Sequence, residues 1–271
     1  QNYWDIMGVS ILDYLDLYRK HTFIRRESYR LDYISKVELG ETKTENPYDT
    51  FKEFYTKDYQ QFIEYNIQDV ELVDKLEDKM KLIELCLTMA YDAKVNYTDV
   101  LGSVRYWDIL IYNYLREKNI VIPQKSKSEK VEKFEGAYVK DPLVGMHKWV
   151  MSFDLNSLYP HLIMQYNISP ETLVSSSEKK DGLVNKILNG EIKNDTDYCM
   201  TPNGAFFKKD KRGFLPEIME IMYNDRTKYK KLMLQAKQKY EDTKDPKLLK
   251  DISKYNNIQM AKKISLNSAY G

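Results

Sequence analysis

The apolar positions of the chain follow two periods, one helical and one extended. The longest helical run is Ile63, Ile67, Val70, Val73, Leu76, Met80, Ile83, Leu87 and Ala90. Its steps of three and four predict a single helix of about seven turns or more. From residue 82 to about 125 the pattern stays helical, with Val104, Trp107, Ile111, Tyr114 and Leu115 as the core stripe. A further helix opens at Gly213-Phe214-Leu215-Pro216-Glu217, where Pro216 suits a first turn, and Ile218, Ile221, Met222, Leu232, Met233 and Ala236 form its apolar face. The turn from Asp242 to Pro246 reverses the chain, and a second helix runs from about Lys247 to the end. Near the start, Val9 to Leu12 is strand-like, Leu31, Ile34 and Val37 stand at helical spacing, and Asn46-Pro47-Tyr48-Asp49 is a turn. The extended period shows at Trp149, Met151 and Phe153, which alternate with Val150, Ser152 and Asp154, as in a strand packed on one face. Ser175 to Asp197 reads as loop, short helix and loop, and Asn203-Gly204 is a hairpin turn leading Ala205-Phe206-Phe207 into a second strand. Gln124 to Lys133 is a charged, serine-containing linker. Together these elements predict an α+β chain.

At 271 residues there is room for one or two domains with a real core. A composition of 42% hydrophobic and 31% charged residues predicts a globular, soluble protein, with no apolar run of membrane-spanning length and no signal peptide. Cys86 and Cys199 belong to no C-x-x-C pair, so zinc is not indicated and a reducing compartment is the expectation. The net charge of +1 does not by itself announce a nucleic-acid partner, which places the weight on local patches. The chain begins without methionine and ends inside a pattern, so it is expected to be a piece of a longer protein.

Three places carry candidate chemistry. Asp154 closes the alternating stretch, and Leu155-Asn156-Ser157-Leu158-Tyr159-Pro160 turns directly into a helix start. A carboxylate there suits a hard cation, and the first amide N–H groups, at Ser157, Leu158 and Tyr159, suit phosphate oxygens. The competing reading is a capping aspartate at an ordinary strand-to-helix corner. Between Arg226 and Lys239 lie six basic residues and no acidic one, with Arg226 and Lys230 four apart. A one-sign run forgoes the usual i,i+4 ion pairs, which a polyanionic partner would explain; a solvated face is the alternative. Lys263, Asn267 and Gly271 share one helical stripe, with Tyr270 beside it. Weaker signals are Tyr65 and Asp69, four apart on the long helix, the basic patch from Lys208 to Arg212, and Gly136-Ala137 before a strand. Asp13 and Asp16, lacking partner carboxylates, read as surface or cap residues.

The stretch Asp154-Leu155-Asn156-Ser157-Leu158-Tyr159-Pro160 resembles motif A of the family B DNA polymerases. The run from Asn167 to Thr172 resembles the T-even phage branch of that family. Lys263-Ile264-Ser265-Leu266-Asn267-Ser268-Ala269-Tyr270-Gly271 resembles motif B, K-x-x-x-N-S-x-Y-G, and the helix before it carries the R-x-x-x-K of Arg226 and Lys230. Tyr65-x-x-x-Asp69 resembles the third exonuclease motif, and Glu135-Gly136-Ala137 the template-facing element, with Phe134 where tyrosine is usual. The resemblance implies a partial family B polymerase: the end of an RNase H-like 3′–5′ exonuclease domain (1–81), a helical segment returning to the N-terminal domain (82–125), palm β-strands with motif A (126–212) and two antiparallel fingers helices up to motif B (213–271).

The implied activity is template-directed DNA synthesis from dNTPs, with two Mg²⁺ ions per site (Mn²⁺ as a substitute) and proofreading in the parent protein. Asp154 and the Leu155 carbonyl would hold metal in the polymerase site and Asp69 in the exonuclease site, where Tyr65 would orient the attacking water. Ser157, Leu158, Tyr159, Arg226, Lys230, Lys263 and Asn267 would bind the dNTP, with Lys263 also a proton donor to pyrophosphate and Tyr159 selecting deoxyribose. Gly136, Ala137, Tyr270 and Gly271 would face DNA. Implied partners are primer–template DNA, dNTPs and a sliding clamp, with no membrane, in a phage replisome in the host cytoplasm. The pattern departs from the family in three further ways. The two upstream exonuclease motifs are not found before Tyr65, the chain stops at Gly271 before the hairpin that bears the second metal aspartate, and the span between the fingers helices is shorter than in T-even members. The isolated chain is therefore expected to be inactive. The rivals are a non-catalytic DNA- or nucleotide-binding module and a stand-alone nuclease.

Overall fold

The computed structural model describes residues 6–22, 24–122, 124, 139–175 and 183–270. Its helices are α1 (Tyr14–His21), α2 (Leu31–Leu39), α3 (Phe51–Lys57), α4 (Tyr59–Met80), α5 (Leu82–Ala93), α6 (Ser103–Glu117), α7 (Leu158–Tyr166), α8 (Leu183–Leu188), α9 (Phe214–Thr243) and α10 (Lys247–Ser268). Short strands β1 (Leu173–Ser175), β2 (Cys199–Met200) and β3 (Phe206–Phe207) complete an α+β chain, with 3₁₀ turns at Tyr97–Leu101 and Pro170–Thr172. No helix among the described residues is long and apolar enough to cross a membrane. Two compact units divide the chain: Gln1–Asn113 with Ile221–Gly271, and Tyr114–Glu220.

In the first unit, Asp13 acts as the cap the sequence suggests, its carboxylate accepting the Leu15 N–H at 2.8 Å, and α1 buries Leu17 and Tyr18. The run expected as one long helix is two. Lys81 adopts a left-handed conformation (φ 55°) and ends α4 with its N–H on the Glu77 carbonyl at 2.8 Å. The Glu77 carboxylate then accepts the N–H groups of Ile83 and Glu84 at 3.0 and 3.4 Å, which starts α5 at once. One glutamate thus satisfies both sides of a break that the apolar spacing does not reveal. The buried positions shift accordingly, to Leu72 and Leu76 on α4 and to Leu82, Leu85, Cys86, Met89, Ala90 and Ala93 on α5, while Ile67 and Val70 are exposed. Val9 to Leu12 form no strand, and Val104 is exposed while its neighbours Tyr106 and Trp107 are buried. Asn46 opens its turn by accepting the Tyr48 N–H at 3.0 Å.

Helix α10 lies along α5, with the Asn257 amide donating to Glu84 at 2.9 Å and the Lys262 ammonium to Asp92 at 2.7 Å. Helix α9 runs antiparallel to it, tied by the pairs Asp225–Lys262 (3.3 Å) and Tyr229–Tyr255 (ring centroids 6.2 Å).

In the second unit the strand order is β1-β3-β2, all antiparallel, with Cys199 opposite Phe207 and Met200 opposite Phe206. The Asn203-Gly204 turn forms as its sequence predicts. Gly204 takes φ +81°, its N–H meets the Thr201 carbonyl at 2.8 Å, and the Thr201 N–H meets Ala205 at 2.9 Å. Pro216 sits buried in the first turn of α9, inside the turn closed by the Glu217 N–H to Gly213 carbonyl bond at 3.1 Å. The strand expected at 149–154 does not form: these residues are irregular, and Trp149 and Phe153 are 96% and 87% exposed. A strand needs a neighbour for its N–H and C=O groups and a surface for its apolar face, and no described residue pairs with this stretch.

Candidate functional site

Asp154 and Leu155 lie exposed in the irregular approach to α7, in the second unit. Ser157 is left-handed (φ 53°) and precedes the helix without a side-chain cap, and its carbonyl accepts the His161 N–H at 3.1 Å. Leu158 and Tyr159 occupy the first turn, where an α-helix directs its amide N–H groups outward, and the buried Pro160, which has no N–H, follows. The strand-to-helix corner read from sequence is thus a loop-to-helix corner. Its C-terminal end is firmly set. Asn167 ends α7 in a left-handed conformation (φ 55°) and is buried. Its amide donates to the carbonyls of Lys208 (2.7 Å) and Lys211 (2.8 Å), and its oxygen accepts the Gly213 N–H at 2.9 Å. Glu171 accepts the Phe214 N–H at 2.6 Å, a carboxylate at the N-terminus of α9. A side chain at Gly213 would meet Ser169 at 2.5 Å, so glycine is needed where the two helix ends close on each other.

The second set lies in the first unit. Arg226 and Lys230 share one face of α9, and Lys263 and Asn267 one stripe of α10. Arg226 follows Asp225 and Lys263 follows Lys262, the two ends of the 3.3 Å pair that joins these helices. The Tyr270 hydroxyl donates to the Asn267 side-chain oxygen at 3.1 Å, leaving the amide N–H groups as the donors that Asn267 can offer an anion. Gly136, Ala137 and Gly271 lie outside the described residues, as do Phe134 and most of the linker from Gln124 to Lys133.

Tyr65 and Asp69 do share a face of α4, half-buried, with Tyr65 packed edge-on to Phe54 at 5.7 Å. Sequence reasoning missed their third member. The Lys43 ammonium donates to Asp69 at 2.7 Å and stands 4.7 Å from the centre of the Tyr65 ring. Burial disfavours the charged form of Lys43, but the hydrogen bonds and charges of Asp69 and Tyr65 outweigh it and hold the ammonium above its ordinary range. Its segment is laced between two helices: the Lys43 N–H reaches Asp32 at 3.0 Å, the Thr44 N–H reaches Gln68 at 2.7 Å, and Gln68 donates to the Thr42 carbonyl at 3.2 Å. No periodicity marks Glu41-Thr42-Lys43-Thr44-Glu45, so the sequence gives no signal for it.

Metal fitness differs between the two carboxylates. The second carboxylate oxygen of Asp69 is buried with no hydrogen-bond partner, the state of an oxygen suited to a cation. Asp154 and the Leu155 carbonyl are oxygen donors of the right kind. Neither place has the number: among the described residues no three His, Cys, Asp or Glu side chains cluster as a cation cage.

The family model for DNA polymerase family B matches residues 102–271, more than half of the chain. The DNA-directed DNA polymerase of Escherichia phage RB69 is 40% identical over 243 residues, 89% of this chain and 26% of the relative. That of Enterobacteria phage T4 is 36% identical over 232 residues, 85% of this chain and 25% of the relative. The DNA polymerase delta catalytic subunit of Caenorhabditis elegans is 29% identical over 276 residues, 98% of this chain and 23% of the relative. The chain spans about a quarter of the length of the curated relatives it matches, and the motif-like residues on α7, α9 and α10 all fall within the family match. This chain belongs to the family B DNA polymerases.

Proposed function

We propose that the full-length protein is a template-directed DNA polymerase that transfers a nucleotidyl group from a dNTP to a primer 3′-hydroxyl, with 3′–5′ proofreading in the same protein. The observation that carries this is the coupling of α9 and α10. A helix with Arg226 and Lys230 and one with Lys263, Asn267 and Tyr270 are joined through the residues next to Arg226 and Lys263, inside a chain of this family. Transfer at a triphosphate spreads negative charge over its phosphates, so catalysis is mostly positioning and positive charge.

In this reading Arg226, Lys230 and Lys263 grip the β- and γ-phosphates, and Asn267 donates to them. Lys263 protonates the leaving pyrophosphate. The first-turn amides of α7, at Leu158 and Tyr159, take the rest of the triphosphate tail beside Ser157, and the Tyr159 ring lies against the sugar, where a 2′-hydroxyl collides with it. Tyr270 belongs to the surface that meets the primer–template. Asp154 and the Leu155 carbonyl would hold divalent metal, and Asp69 would hold it in the exonuclease, with Tyr65 orienting the attacking water and Lys43 fixing the Asp69 carboxylate. Two Mg²⁺ ions, or Mn²⁺, would neutralise the phosphate charge and activate the attacking oxygen. The remaining carboxylates are assigned to parts of the parent protein outside this chain. Residues 1–81 are read as the late exonuclease domain, 82–125 as the return to the N-terminal domain, 126–212 as palm and 213–271 as fingers. Partners follow as primer–template DNA, dNTPs and a sliding clamp, in a phage replisome in the host cytoplasm.

The test is primer extension by the full-length protein with Mg²⁺. Wild type should extend a primer in a template-dependent, chelator-sensitive manner, and Asp154→Ala should lose about a thousandfold or more of that rate while still binding DNA. Undiminished extension by Asp154→Ala would refute the role of Asp154, and no extension by wild type would refute the polymerase reading.

A further inference from the structure

We propose that Lys262 is a positioning residue for the triphosphate site: a buried ammonium clamped between Asp92 of α5 and Asp225 of α9 fixes where Lys263 and Arg226 stand. The inference rests on the polymerase reading above and adds a residue that no motif contributes to it. Lys262 is only 8% exposed, an unusual state for lysine. Its ammonium lies 2.7 Å from the Asp92 carboxylate and 3.3 Å from that of Asp225, which come from two different helices.

Burying an ammonium is costly and is tolerated because both acceptors are carboxylates. For stability alone, replacing such a buried ion pair by apolar side chains of similar size is often neutral or favourable. What the charge adds is direction. It narrows the arrangement of three helices, because the donor must face both acceptors at once. The neighbouring turns are fixed on the same side. The buried Tyr106 hydroxyl hydrogen-bonds the Ser265 hydroxyl at 2.7 Å, and the Trp107 indole N–H donates to Ser268 at 3.0 Å. Lys263 stands one residue, about 100° of helix, from the clamp, and Asn267 four residues further along the Lys263 stripe. Arg226 follows Asp225 in the same way on α9. A shift of the clamp therefore moves the proposed phosphate ligands of both helices together, and a misplacement of about 1 Å is enough to slow a positioned reaction strongly.

The experiment uses the full-length polymerase with Lys262→Met, Lys262→Arg and Asp225→Asn. Single-nucleotide incorporation is measured over a range of dNTP concentrations, together with primer–template affinity and the burst amplitude, which reports the folded, active fraction. Lys262→Met should raise the KM for dNTP or lower the incorporation rate by about tenfold or more within the active fraction, with DNA affinity within about twofold of wild type. Lys262→Arg, which keeps the charge and offers several donors, should recover to within about threefold, and Asp225→Asn should show a smaller defect of the same kind. The proposal is overturned if Lys262→Met loses only burst amplitude, if its KM and rate match wild type, or if Lys262→Arg is no better than Lys262→Met. A wild type that fails to extend primers overturns the polymerase reading itself, a result distinct from an active enzyme indifferent to Lys262.

Discussion

His21 closes α1 with both ring nitrogens buried and without hydrogen-bond partners. Burial, reinforced by the charge of Lys20, pushes its pKa down to about 4 from 6.5, so the folded chain holds the imidazole neutral. The unfolded chain therefore binds more protons between those values. Stability is full above about pH 6.5 and is lost as pH falls toward 4, by up to about 3 kcal/mol. Urea midpoints at pH 7 and pH 4.5 should separate for wild type and draw together in His21→Phe; an unchanged pH slope in the variant would show that His21 is not the group responsible. At this scale the sequence was only partly legible. Asp13 could be read as a cap because capping is local, and its bond to Leu15 bears that out. Lys43 and Lys262 could not be read, because each is defined by an acid 26 residues or more away in the chain, and no spacing rule reaches that far.

Among the elements, the joint between α7 and α9 depends most on one residue. Asn167 supplies three side-chain hydrogen bonds and a left-handed backbone, and asparagine adopts that backbone more readily than alanine. Asn167→Ala leaves two carbonyls and one N–H unsatisfied beneath the α9 start, and should cost about 3 kcal/mol of stability in chemical denaturation. A loss below about 0.5 kcal/mol would mean that water replaces all three bonds. The same run, Asn167 to Thr172, resembles the phage polymerases in sequence, and its structural work is this joint. Helices α9 and α10 and the Asn203-Gly204 hairpin were legible because periodicity, Pro216 and turn chemistry are all local. The break at Lys81 was hidden because α4 and α5 each bury an apolar stripe, so the repeat runs across the break. The stretch from Trp149 to Asp154 misled for the opposite reason. Alternation reports a willingness to pair, and pairing needs a neighbour that no described residue provides.

For the whole molecule, the chain divides into one unit carrying the loop-to-helix corner with Asp154 and another carrying the cationic helices and the Lys43–Asp69 pair. Its family shows in most of its length, while it spans about a quarter of its curated relatives. The central proposal is that, in the full-length protein, Asp154 and the cations of α9 and α10 act on one polyphosphate. The most direct measurement is a structure of the full-length protein with primer–template, an incoming dNTP and Mg²⁺. The claim predicts an Asp154 carboxylate oxygen about 2.1 Å from a metal that also holds the triphosphate, with Arg226, Lys230 or Lys263 nitrogens about 3 Å from the same triphosphate. A triphosphate held by those cations with Asp154 bound to no metal, or Asp154 on a metal that the cations do not share, would contradict it.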